Sequence, residues 1–122
     1  MTILYTQELD STDGFDITFN ALVEHVPLED TLDCTEKELI NYYKKIDNGE
    51  LAYFCAEVVA SRNGIRLGDD FLGCCLYASY EDSIKEGDHI QDMIQMVVKE
   101  AKYTLTQLYT ENQRSCMYKP MR

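Results

Sequence analysis

The 122-residue sequence contains no tryptophan, only 2 prolines and half as many cations as anions. No apolar run approaches the ~20 residues that a membrane-spanning helix needs. The opening stretch, "MTILYTQELDSTDG", lacks both a basic n-region and a long apolar segment, so it does not read as a secretory leader. Lys and Arg total 11 against 22 Asp and Glu, for a formal net charge of -11. That balance excludes the basic footprint needed to hold a DNA backbone. The acids are scattered among apolar residues, which suits a solvated acidic surface; a surface that mimics nucleic acid stays open beside it.

The 5 cysteines, Cys34, Cys55, Cys74, Cys75 and Cys116, are odd in number and form no C-x-x-C pair. Without a leader they read as reduced thiols of a cytoplasmic protein, with Cys55, Cys74 and Cys75 as small strand residues. Only His25 and His89 are available as nitrogen ligands, so no zinc site, metal or cofactor is expected. Motifs that carry catalysis are missing too. There is no G-x-x-x-x-G-K-[ST], G-x-G-x-x-G, G-x-S-x-G or H-E-x-x-H. His25 falls near the end of a strand pattern and His89 in the first turn of a helix pattern, both as surface residues. Asp69 and Asp70 are adjacent on a strand pattern, so their carboxylates point to opposite faces and cannot act as a glycosidase pair. The expectation is a binding protein without catalytic activity.

What is present reads as one α+β domain, residues 1–122, with an antiparallel sheet of 3–5 strands, a central Asn-Gly hairpin, a short helix and a long C-terminal helix. "TILYTQEL" is rich in β-formers, and "STDG" marks a turn. "FDITFNALVEHV" alternates, placing Ile17, Phe19, Ala21 and Val23 on one face, and Pro27 ends it or sets it at an edge. In "CTEKELINYYKKIDNGE", Thr35 and Glu38 form a capping box, Leu39, Tyr43 and Ile46 share a face, and Gly49 supplies the left-handed stop. "ELAYFCAEVVA" is apolar on both faces, as in a central strand. Asn63-Gly64 then supplies the positive φ angles of a type I′ hairpin.

An unbroken ladder from that turn opposes Arg62 to Ile65, Ala60 to Leu67, Val58 to Asp69, Glu57 to Asp70 and Ala56 to Phe71. It sets Glu57 beside Asp70, two like charges, which is unfavourable. Either the Gly68-Asp69-Asp70 stretch bulges or the acids share a cation or a hydrogen-bonding ligand. Beyond the hairpin, Ser79 and Asp82 form a second capping box for a short helix stopped by Gly87, and Asp88 caps a long one. Ile90, Ile94, Val97, Ala101 and Leu108 make its apolar stripe, widened by Met93, Met96, Val98 and Leu105. Two readings of that excess stand side by side: a helix-mediated homodimer, or complete burial in one chain. The tail, with Arg114, Lys119 and Arg122, is a basic segment on an acidic protein.

Candidate binding residues follow from chemistry. Arg62 and Arg66 flank the turn and are expected on one face, where guanidinium forks hold phosphates. Phe71, Tyr77 and Tyr80 offer rings for a purine. Asp69 and Asp92 accept hydrogen bonds from ribose hydroxyls, and Arg114 brings a cation if the tail folds back. The set suits a nucleotide-sized anion.

Residues 50–102 are also similar in order of parts to a known group. A strand–(N/D)G–strand hairpin leads into Leu67-Gly68, Asp70, Leu72-Gly73-Cys74-Cys75, Tyr77 and Ser79-Tyr80-Glu81-Asp82, then a long acidic helix. This spacing resembles that of phage Thoeris anti-defence sponge proteins. The resemblance implies a phage protein of the host cytoplasm that sequesters a cyclic ADP-ribose-type signal made by a TIR-domain enzyme. It further implies ligand pockets at a homodimer interface, and cyclic oligonucleotide sites in a higher homo-oligomer. The alternative reading is an acidic inhibitor of a nucleic-acid-binding host defence protein, of the anti-restriction or anti-CRISPR type.

Overall fold

The computed structural model describes residues 2–86 and 88–118, with side chains through Glu111. Four strands, β1 (Ile3–Thr12), β2 (Phe15–Leu22), β3 (Ala52–Arg62) and β4 (Ile65–Tyr77), form an antiparallel sheet in chain order. Three helices follow the expected places: α1 (Glu36–Asp47), α2 (Tyr80–Lys85) and α3 (His89–Tyr118). The architecture is the expected α+β. Gly87, Lys119 and Arg122 lie outside the described residues, and the side chains of Arg114 and Cys116 lie outside the described side chains.

Both hairpins turn on two residues of positive φ: Asp13 and Gly14 at 52° and 83°, Asn63 and Gly64 at 53° and 78°. These are the paired left-handed residues of a type I′ turn, whose twist matches that of the strands. Thr12 therefore pairs with Phe15, and Arg62 with Ile65. β3 is central, as its two-sided apolar pattern requires, and β2 is central as well rather than an edge. β2 stops at Leu22, so Val23 and His25 lie in the loop after it, and Pro27 opens a 3-10 turn at Leu28–Asp30.

The unbroken β3–β4 ladder does not survive. Pairing shifts after Ser61↔Arg66 to Ala60↔Gly68, Val58↔Asp70 and Glu57↔Phe71, leaving Leu67 as an extra residue. Glu57 and Asp70 are not opposed, and the like-charge conflict disappears. The bulge turns both Leu67 and Gly68 toward the helix side: Leu67 is buried in the core, and a Cβ on Gly68 would stand 2.5 Å from the Val97 carbonyl oxygen. A second shift, between Phe54↔Cys75 and Ala56↔Leu72, sets Cys55 against both Gly73 and Cys74.

α3 lies on β3 and β4. Phe15, Ile17, Phe19 and Ala21 from β2 and Phe54, Ala56, Val58 and Ala60 from β3 meet Ile90, Met93, Ile94, Val97, Val98 and Ala101 of the helix. The expected stripe is thus largely the core, with two corrections. Met96 is 58% exposed because it sits on the outer side of α3, and Leu108 is 48% exposed because it lies beyond the buried part of the helix. α1 forms with its complete capping box and with Gly49 at φ 79°, yet it buries no residue. Ser79 caps α2 by accepting the Asp82 N–H at 3.1 Å.

Candidate functional site

Because α3 covers one face of the sheet, residues of the other parity face away from it. β2 and β3 place Asn20 and Glu57 opposite each other on that open face, and the Asn20 amide donates to Glu57 at 2.9 Å. Arg66, next to the bulge on β4, forms an ion pair with Glu57 and a second one with Asp69 at 3.0 Å. Its Nε donates to the same Asp69 oxygen at 3.1 Å. The hydrogen bond to Glu57, more than any other contact, raises the Arg66 pKa above its ordinary value. Phe71 is the cross-strand partner of Glu57 and 44% exposed. Thr18, two residues along β2 from Asn20 and on the same face, donates to Glu8 on β1. The result is a carboxylate buried in the sheet, a half-exposed guanidinium over it, a second carboxylate beside that and an open aromatic ring.

Of the residues expected to bind a ligand, this surface brings together Arg66, Asp69 and Phe71. Arg62 is not with them, because one position of chain separates the facing directions of Ser61 and Arg62 while Arg66 pairs with Ser61. The Arg62 guanidinium stacks 4.3 Å above the Phe15 ring and donates to the carbonyls of Gly14 and Asp13, which ties the two hairpin tips together. Tyr77 and Tyr80 are on the helix side. Tyr80 stacks on Tyr5 at 5.1 Å and meets Phe54 edge-on at 5.1 Å; Tyr77 packs 6.4 Å from Phe54. Asp92 is exposed on α3, so the sheet lies between it and Arg66. The Arg114 side chain is outside the described side chains.

Asn20 and Glu57 are the members of the cluster that sequence reading missed as site residues. Glu57 carried a signal, an acid among Tyr53, Cys55 and Val59 on one side of β3, while Asn20 stands with Asp16 and Thr18 on the polar side of β2; their partnership depends on a β2–β3 register that no short turn sets. Among the described residues, no buried side-chain nitrogen or oxygen lacks a hydrogen-bond partner.

At the other end of the open face, the segment after β2 folds back over β3 and β4. Tyr53 donates its hydroxyl to the Val26 carbonyl at 2.7 Å, Leu28 is buried, and the Cys74 N–H donates to the Glu24 carboxylate at 2.7 Å. Cys74 has φ 58°, the left-handed region unusual for a residue with a Cβ. Burial would raise the Glu24 pKa, but hydrogen bonds from the N–H groups of Cys74, Val26 and His25, with the nearby His25 charge, outweigh it and hold the carboxyl below its ordinary 4.5. A carboxyl lowered on folding stabilises the protein above its unfolded-state pKa, and that contribution fades as pH falls through the folded-state value. Glu24→Gln should therefore lower the urea midpoint near neutral pH, and the gap from wild type should close in acid below that value. A gap unchanged across this range would show that the ionised carboxylate contributes nothing.

The clefts at the surface are open. One of about 320 Å³ lies between β1 and α3, lined by Gln7, Leu9, Ile84, Gln91 and Ile94. Another of about 330 Å³ follows β4 and is lined by Cys74, Cys75, Tyr77 and His89. Among the described residues, no three of His, Cys, Asp or Glu are grouped to hold a metal ion, and no helix is long and apolar enough to cross a membrane. Comparison with protein-family models, with curated proteins and with solved structures found no match.

Proposed function

We propose that the protein is a non-catalytic phage protein that binds and sequesters a cyclic ADP-ribose-type nucleotide, blocking a TIR-dependent bacterial defence. The observation that carries this reading is the convergence of Arg66, Asp69 and Phe71 on the open sheet face, around the buried Asn20–Glu57 pair. An exposed ring is a stacking surface for adenine, carboxylates accept from ribose hydroxyls, and the guanidinium meets the pyrophosphate. Arg66 is held by two carboxylates, so it reaches a phosphate by releasing the more exposed Asp69 while Glu57 keeps it in place. The similarity of residues 50–102 to the sponge proteins supports the same reading.

Tight binding of so small a ligand needs near-complete enclosure. One chain offers an open face here, and a second copy supplies the missing wall. Past the core, α3 leaves Leu108 and Tyr109 exposed as apolar surface on which two copies can pair. A higher oligomer would offer further sites for cyclic oligonucleotides.

Incubation with cyclic ADP-ribose isomers should raise the melting temperature, since ligand at 100 times its dissociation constant adds about 2.7 kcal/mol. Heating should release the isomer chemically unchanged. Altered ligand would make the protein an enzyme. No shift with any isomer would overturn the proposal. Salt-sensitive binding to a basic nucleic-acid-binding protein, with no small-molecule shift, would establish the acidic inhibitor instead, a reading favoured by the net charge of -11.

A further inference from the structure

The second bulge of β4 places two thiols on one surface of the sheet. Phe54 pairs with Cys75 and Ala56 with Leu72, so Cys55 stands opposite Gly73 and Cys74. Cys55 shares its side of β3 with Tyr53 and Glu57, the open face. Cys74 sits in the bulge opposite it with its N–H held by the Glu24 carboxylate, and the Tyr53 phenol, on the same face as Cys55, is pushed up to about 12, by burial first and then by the neighbouring Cys74. Cys75, the chain neighbour of Cys74, points the other way. It is buried in the core under α3, and burial pushes its thiol up to about 11. The two bulge residues Gly73 and Cys74 share the place opposite Cys55, where regular ladder partners have Cα atoms about 4.5–5.5 Å apart, the range a disulfide spans. Both Cys55 and Cys74 are partly exposed, and Cys74 lines the open cleft along β4.

We propose that Cys55 and Cys74 are an oxidative modification site, a dithiol that closes to a cross-strand disulfide when it meets a low-molecular-weight disulfide. The Cys74 thiolate, partly exposed on the edge strand, attacks one sulfur of the reagent and expels the other as a thiolate. The Cys55 thiolate then displaces the bound half. Two protein S–H bonds and one reagent S–S bond break, while one protein S–S bond and two reagent S–H bonds form. Two electrons pass from the protein to the reagent. The staple closes the β3–β4 hairpin and fixes the left-handed residue that Glu24 holds, at the end of the sheet face that carries Arg66 and Phe71.

The test is treatment of the full-length protein with oxidised glutathione, followed by intact mass and non-reducing tryptic mapping. The mass should fall by about 2 Da without a glutathione adduct. The peptide holding Cys55 should be joined to the one holding Cys74 and Cys75. The bond should persist in Cys75→Ala and be lost in Cys74→Ser and Cys55→Ser. The oxidised form should melt higher by on the order of 10 °C, reversed by dithiothreitol. Glutathione adducts without a crosslink, a crosslink that survives Cys74→Ser, or a crosslink between two chains would each overturn the proposal. Circular dichroism of the serine variants separates a lost partner from a lost fold.

Discussion

Replacing Gly68 with valine should destabilise the protein by about 3 kcal/mol, the upper end of what overpacking a core costs. A Cβ at this position would lie 2.5 Å from the Val97 carbonyl oxygen and 3.2 Å from the Ala101 nitrogen. Both are backbone atoms of α3, so no side-chain rotation relieves the clash. The helix must lift from the sheet, and lifting it uncovers Val58, Ala60, Val97 and Ala101, all now fully or almost fully buried. Gly68→Ala should cost about 2 kcal/mol for the same reason. Gly64→Ala provides the contrast: nothing lies within 4 Å of its Cβ position, and only its φ of 78° is at stake, for roughly 1 kcal/mol. Urea unfolding of the three variants checks the ordering. A Gly68→Val loss no larger than that of Gly64→Ala would mean that α3 is not seated on β4 as described.

Arg66→Ala should cost about 2 kcal/mol and weaken binding of the proposed nucleotide by one to two orders of magnitude. The Glu57 side chain is only 8% exposed, and without Arg66 it keeps the Asn20 amide as its remaining side-chain donor. Removing one partner of a buried pair costs about 3–5 kcal/mol, but the Arg66 side chain is 49% exposed, and water screens its share of the interaction. Adding Glu57→Gln should recover most of the stability, because the residue left behind is then neutral, and should not recover ligand binding. Phe71→Ala separates the two roles further. At 44% exposure the ring contributes little to folding, so its loss should reduce ligand affinity about tenfold with almost no change in urea midpoint. If Arg66→Ala leaves the thermal shift by cyclic ADP-ribose intact, the open face is not where the nucleotide binds.

Local chemistry was the legible part of this protein. Asn63-Gly64 declares its hairpin because few residues accept positive φ in succession, and Thr35 with Glu38 declares a helix start because the box is satisfied within four residues. The alternation of Ile17, Phe19 and Ala21 names the buried face of β2 before any partner is known. The candidate site was legible only in part. Arg66, Asp69 and Phe71 do share a surface. Arg62 does not join them because it pairs with Ile65, one position out of phase with the Ser61↔Arg66 pair; the bulge at Gly73–Cys74 leaves Tyr77 on the helix side, and Tyr80 belongs to α2, packed on Tyr5 and Phe54.

The sequence alone determined the order of elements, both tight turns, the α1 cap and most of the core stripe of α3. Each depends on interactions within a few residues or on a repeat that one element displays by itself. Tertiary structure decided the rest. The bulge at Leu67 is set where Gly68 meets the backbone of α3. The Asn20–Glu57 pair exists because β2 and β3, joined by a long excursion, align at that register. Leu108 is exposed because the buried stretch of α3 ends before it, although its position in the stripe matches that of buried Ile90. A periodic pattern states which residues are able to be buried; only the extent and spacing of the surface opposite decides which of them are.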